Sequence, residues 1–129
     1  AGYTNFGSDI EEFVHKSNVL RGHCEDVGSD FDAIVRSTNF NVVCAATETE
    51  VEDKLGFILD RYSPYVDGDR LDRVEQLFRK VSGTPEQLVK KIKPWADAGL
   101  SYGIVYFQEA AYDTSGLELF AAEVIPALG

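Results

Sequence analysis

The sequence predicts an α/β fold in which parallel strands alternate with amphipathic helices. Three observations carry this. Residues 33–46 and 101–107 are runs of β-branched and small apolar residues with few charges. Each run lies between segments of helical periodicity that open with capping signals. Strands and helices alternate along the chain instead of strands following one another. Near-continuous apolar strands are what a parallel sheet covered by helices requires, and alternation implies βαβ units with right-handed crossovers.

Ser8 followed by Glu11 reads as a capping box, hydroxyl and carboxylate each satisfying an amide at a helix start. Ile10, Phe13, Val14, Leu20, Cys24 and Val27 then recur near helical spacing, and Gly28 supplies a left-handed stop, so residues 9–26 are predicted helical. His15, Lys16, Arg21 and Glu25 fall on the wetter side. A strand over about 34–45 comes next. Thr47 and Glu50 form a second capping box, opening a helix through about Arg61 whose buried stripe is Val51, Leu55, Ile58 and Leu59. Pro64 and the Asp67-Gly68-Asp69 turn interrupt the chain. A helix over 70–81 presents Leu71, Val74, Leu77, Phe78 and Val81.

Gly83-Thr84-Pro85-Glu86-Gln87 is the densest helix start: Thr84 as N-cap, Pro85 at the first position and Gln87 as the capping partner. That helix runs to Ala98 with Gly99 as its stop, and Pro94 inside it predicts a kink or restart near Lys93. The second strand spans about 102–107. Ser115 and Glu118 cap a last helix ending near Pro126.

The chain has 129 residues with 12 Lys+Arg against 22 Asp+Glu, a net charge of −10. With 44% hydrophobic and 12% aromatic residues it can bury a core, which excludes disorder. No apolar run approaches the ~20 residues of a membrane span. The acidity argues against nonspecific nucleic-acid binding, which depends on Lys and Arg. Cys24 and Cys44 form no disulfide framework and suit a reducing cytoplasm. The chain opens Ala-Gly-Tyr, with no basic, apolar leader visible.

Two strands, with a remnant at Gly2–Asn5, cannot shield their own sheet edges. The chain is therefore expected either to associate with copies of itself or to be the latter part of a larger domain, and the second is favoured. The alternative function is a non-catalytic α/β module that self-associates.

The run Gly83-Thr84-Pro85-Glu86-Gln87-Leu88-Val89, then Ala96-Asp97-Ala98-Gly99-Leu100-Ser101-Tyr102, then Leu117-Glu118-Leu119-Phe120 and Glu123-Val124-Ile125-Pro126-Ala127-Leu128 resembles the carboxyl end of luciferase-like monooxygenases. Within that superfamily it is most similar to oxidoreductases that use the deazaflavin coenzyme F-420. Leu20 with His23-Cys24-Glu25 and Val27-Gly28, and Thr47-Glu48-Thr49-Glu50 after the strand, fit the same pattern. The resemblance implies a (β/α)8 barrel of TIM type, of ~250 residues when whole. Residues 1–129 would be a single partial domain, its last βα units. It implies hydride transfer between coenzyme F-420, or alternatively FMN, and a small organic substrate. It also implies an absent amino-terminal half that carries most cofactor and substrate contacts, so that this chain alone is expected to be inactive.

In such a barrel reactive groups lie at the carboxyl ends of the strands. That face would gather Cys44 to Thr47, Gly83 and Thr84, and Gln108 and Glu109. The amides after Thr84 are candidates for an anionic cofactor tail, although the same cap also serves an ordinary helix start. Gln108 and Glu109 are candidates to orient substrate, and Asp113 is a weaker one. No catalytic residue is assigned. His15 and His23, eight apart on different faces of one helix, make no metal site, and no metal is expected. Cys44 reads as an inert buried thiol. Asn39 and Asn41, inside a strand, require partners. Neither a glycine-rich dinucleotide fingerprint nor a P-loop occurs, and the acid runs at Glu48–Asp53 and Asp67–Asp72 read as solvated surface.

Overall fold

A computed structural model of the chain describes residues 2–7 and 9–129. The fold is mixed α/β with parallel strands in open sheets. The elements in order are β1 (Tyr3–Asn5), α1 (Ile10–Val27), β2 (Val35–Asn41), β3 (Val43–Cys44), α2 (Glu48–Tyr62), α3 (Gly68–Lys80), β4 (Ser82–Gly83), α4 (Pro85–Asp97), β5 (Tyr102–Tyr106), α5 (Ser115–Leu119), a π-helical stretch (Phe120–Val124) and α6 (Ile125–Leu128). Two compact units divide the chain, Ala1–Phe40 with Pro94–Val105, and Asn41–Lys93 with Tyr106–Gly129.

The first unit holds the sheet β1-β2-β5. β1 pairs parallel to β2, Tyr3 opposite Val35 and Asn5 opposite Ser37, so the remnant at Gly2–Asn5 is a true strand. The Ser8–Glu11 capping box lies outside the described residues at Ser8. Asp9 caps α1, its carboxylate accepting the Glu12 amide at 2.8 Å, and Gly28 closes the helix at φ 69°. The apolar stripe of α1 is narrower than its periodicity predicts: Phe13 and Cys24 are buried with Ser17, while Val14 and Val27 are exposed. Phe13 packs against Trp95, with ring centroids 5.5 Å apart, and Trp95 meets Phe40 edge-on at 5.2 Å. β5 lies against that core, Gly103 standing within ordinary contact distance of the Phe40 ring. Asn39 finds its partner in the Asn5 amide at 2.9 Å.

The second unit is built on Val43, Ala45, Val51, Leu55, Ile58 and Phe78, with Tyr62 and Val74 against them. Here β3 and β4 pair in parallel, Val43 opposite Ser82 and Cys44 opposite Gly83. The Thr47–Glu50 capping box forms in both directions and opens α2 as expected. α3 starts at Asp67, whose carboxylate accepts the Arg70 amide, earlier than the 70–81 reading. Of its predicted apolar face only Phe78 is fully buried.

Four further expectations are corrected. The strand over 34–45 is two, broken at Val42, where the amide partners change. Val42 donates to the Tyr106 carbonyl (2.9 Å) and Val43 to the Val81 carbonyl (3.1 Å). β4 went unseen because two residues, Ser82 and Gly83, carry no periodicity. α4 does not restart at Pro94 but continues through it to Asp97, Pro94 lying on the exposed side. The Ser115–Glu118 cap is absent. Asp113 instead accepts the Ser115 amide at 2.9 Å, and Thr114 donates to Glu118 at 2.8 Å.

The second apolar strand is an exposed edge: Tyr102 is 56%, Val105 37% and Tyr106 46% exposed. Among the described residues no helix is long and apolar enough to cross a membrane.

Candidate functional site

In the second unit, side chains remote in sequence meet around Glu109. The turn after β5 places it. The Glu109 carbonyl accepts the amides of Tyr112 (2.8 Å) and Asp113 (2.9 Å), folding the chain back. Its side chain is thereby driven inward, to 2% exposure. Neither carboxylate oxygen accepts a hydrogen bond from another residue, and a buried carboxylate without such partners is costly. The Lys54 ammonium lies 3.9 Å from Oε1. Lys54 projects from the second turn of α2 and donates to Asp113 Oδ2 (2.7 Å) and Ser115 Oγ (3.0 Å).

Helix α5 closes this cluster at very short range. A Cβ on Gly116 would stand 2.7 Å from the Cys44 carbonyl oxygen and 3.1 Å from Glu109 Oε1. Only glycine permits that approach. Beside the cluster a cavity of about 460 Å³ is bounded by Cys44, Ala46, Glu50, Lys54, Asp113 and Leu119.

The electrostatics separate the two carboxyl groups. Burial raises the Glu109 carboxyl above its ordinary value, its own backbone amide and Lys54 oppose the shift, and the Asp113 charge adds to it. The Lys54 hydrogen bond, with the Ser115 hydroxyl and amide, holds exposed Asp113 far below the ordinary range. Two acids pushed in opposite directions beside one lysine form an acid–base pair by environment. Glu109 keeps a proton to higher pH and is suited to donate it, while Asp113 stays ionised and fixes Lys54.

Cys44, at the end of β3, is fully buried, and its thiol is pushed up to about 11, chiefly by burial, with Glu123 adding to it. Burial and the raised value both disfavour the thiolate. Both cysteines are buried and unbridged. A thiol reagent at pH 8 is therefore expected to label neither in the native protein and both after denaturation, counted by mass spectrometry.

Of the predicted site residues, Cys44 pairs with Gly83 and meets Glu109 across Gly116, while Gln108 turns to other partners. Gly83 is buried at the end of β4, where a Cβ would collide with Gln87 Oε1 at 2.7 Å. The Thr84 amide is taken by Gln87 Oε1 at 3.0 Å, and Gln87 Nε2 donates to Glu48 at 2.7 Å. Nearby, Arg79 is held by Glu52 (2.8 and 3.0 Å) and by Glu75 (2.8 Å). Lys91 donates to the carbonyls of Ser82 (2.6 Å) and Arg79 (3.3 Å). The Thr84 amide is thus capped, the nearby cations are engaged and Glu48 lies beside the turn, as in an ordinary helix start.

Gln108 and Glu109, adjacent in sequence, face different surroundings. Gln108 is exposed and donates to Asn41 at 3.3 Å, which gives Asn41 its partner. Lys54, Ser115 and Gly116 were not foreseen. The available signal was Lys54 itself, the one base closing the acid run Glu48–Asp53. Among the described residues no group of three His, Cys, Asp or Glu is placed to hold a metal ion. Comparison with protein-family models gives no match to this chain, and comparison with curated proteins gives none either.

Proposed function

We propose that the chain is the carboxyl-terminal part of a luciferase-like (β/α)8 oxidoreductase, of the class that uses coenzyme F-420 or, in its place, FMN on a small organic substrate. Its own contribution is Glu109, the proton-holding acid of the site. The observation that carries the reading is that carboxyl group, buried without a hydrogen bond from another residue just after β5, beside Lys54. Acid–base residues of barrel enzymes occupy this position, at the carboxyl ends of strands. The resemblance of Gly83–Leu128 and the alternation of helices with parallel strands support it. The capped Gly83–Thr84 turn leaves anchoring of the coenzyme to the amino-terminal half, the chain's expected partner.

Neighbouring strands in a barrel follow chain order, which puts β4 between β3 and β5. In the isolated chain Val42 donates to Tyr106 on one side while Val43 donates to Val81 on the other. Consecutive amides of an extended strand point opposite ways. Assembly of the whole barrel would therefore exchange the β2–β5 pairing, the Val42–Tyr106 hydrogen bond included, for pairing with β4.

Fluorescence titration of coenzyme F-420, with FMN in parallel, tests the reading. The titrant is added to this chain and to the protein encoded by its complete reading frame. The complete protein is expected to bind one of the two and this chain neither. Binding of neither coenzyme to either protein overturns it.

The exposed edge strand β5 favours a second reading, a non-catalytic module that self-associates. β5 carries no charge, proline or bulge, the devices that keep edges from pairing. If copies associate there, sedimentation shows a stable oligomer that Val105→Lys converts to monomer. A wild-type monomer at all concentrations removes this reading.

A further inference from the structure

We infer that the second unit has another binding site, at the end of α2, for a small planar anion: an aromatic carboxylate. The inference is independent of the oxidoreductase reading. A hollow of about 360 Å³ is lined by Phe57, Ile58, Arg61, Tyr62, Tyr65 and Gln108, within the size range of small-molecule sites, ~300–1,000 Å³. The spacing of 57, 58, 61, 62 and 65 puts these side chains on one helical face, continued past the end of the helix.

The guanidinium of Arg61 is the informative group. In a chain with 22 acids and 12 bases it forms no ion pair among the described residues. Arg79, by contrast, is held by Glu52 and Glu75. Arg61 instead lies over the Tyr112 ring at 4.3 Å from its centroid and 5.6 Å from that of Phe57. One of its N–H groups donates to the Tyr112 hydroxyl. A guanidinium has five donors in a planar fork. Arg61 is thus oriented by aromatic stacking while most of its fork is unused.

That fork matches a carboxylate in two-point contact. The rings beside it match a flat apolar body, and Tyr65, 85% exposed, has no packing role that would explain an aromatic residue. Gln108 adds an amide at the rim. A carboxylate attached to an aromatic ring satisfies all three features together. An aliphatic acid leaves the rings unused, and a neutral aromatic leaves the fork unused.

Calorimetric titration of the chain with sodium benzoate, acetate and benzamide is the test. Benzoate is expected to bind about tenfold more tightly than either comparison compound, a difference of about 1.4 kcal/mol. Arg61→Leu should abolish benzoate binding, and Arg61→Lys should weaken it about tenfold for want of the planar fork. Because Arg61 also contacts Tyr112, Tyr65→Ala provides an independent variant. Its loss should weaken benzoate about three- to tenfold without changing the circular dichroism spectrum. Benzoate that binds no better than acetate, or binding that survives both Arg61→Leu and Tyr65→Ala, overturns the inference.

Discussion

Gly116→Ala is expected to lower the unfolding free energy by about 2 kcal/mol, read as a fall in the urea midpoint at unchanged slope. The sign is the informative part. In an ordinary helix the same change stabilises by up to ~1 kcal/mol, because alanine is the better helix former. Here the added Cβ meets the Cys44 carbonyl oxygen at 2.7 Å, and that atom belongs to the backbone of a buried strand. It cannot swing aside as a side chain would. The second obstacle, Glu109 Oε1 at 3.1 Å, has no room either, since Glu109 is 2% exposed. Overpacking of this kind costs ~1–3 kcal/mol beyond any gain in propensity. An alanine variant as stable as wild type would mean that α5 does not sit against the end of β3.

Glu109→Gln is expected to stabilise the protein at pH 8 by about 1–3 kcal/mol, with the gain shrinking toward pH 4.5. The folded carboxyl titrates above its ordinary value of 4.5. A raised acid favours the fold fully below the ordinary value, and that stability is lost as pH rises through the folded value. Glutamine keeps the shape and removes the charge, so this part of the pH dependence flattens. Lys54 is not orphaned by the change, because it retains Asp113 at 2.7 Å. Asp113 works in the opposite sense. Its folded value lies below the ordinary 3.8, so its contribution is present above that pH and lost below it. The two groups therefore act in separate windows, Glu109 above pH 4.5 and Asp113 below 3.8. A variant that gains stability while losing chemistry is the usual mark of a residue kept for function.

Much of the fold was legible in the sequence because it is written in local chemistry. Thr47 with Glu50, Gly28 and the Thr84-Pro85 start are satisfied within a few residues of themselves, and each is in place. What was not legible depends on distant partners. β4 is recognisable only through its pairing with β3. The break at Val42 follows from which strands its neighbours find. The exposure of β5 contradicts its apolar composition, because burial belongs to the assembled sheet and not to the strand. The site divides in the same way. Glu109 was a candidate by its place after a strand. Its pairing with Lys54, 55 positions earlier by residue number, arises only when α2 and the loop after β5 meet. Gln108, its neighbour, turned to another surface altogether.

Glu109, buried beside Lys54, keeps its proton to higher pH than an exposed glutamate. Carbon-13 NMR titration of the glutamate side-chain carboxyl signals, with Glu109→Gln to assign the resonance, measures it directly. The Glu109 signal is expected to titrate above the other glutamates and to move further upward in Lys54→Met, where the attraction opposing the shift is gone. A Glu109 signal that titrates with the exposed glutamates, unmoved by Lys54→Met, would contradict it.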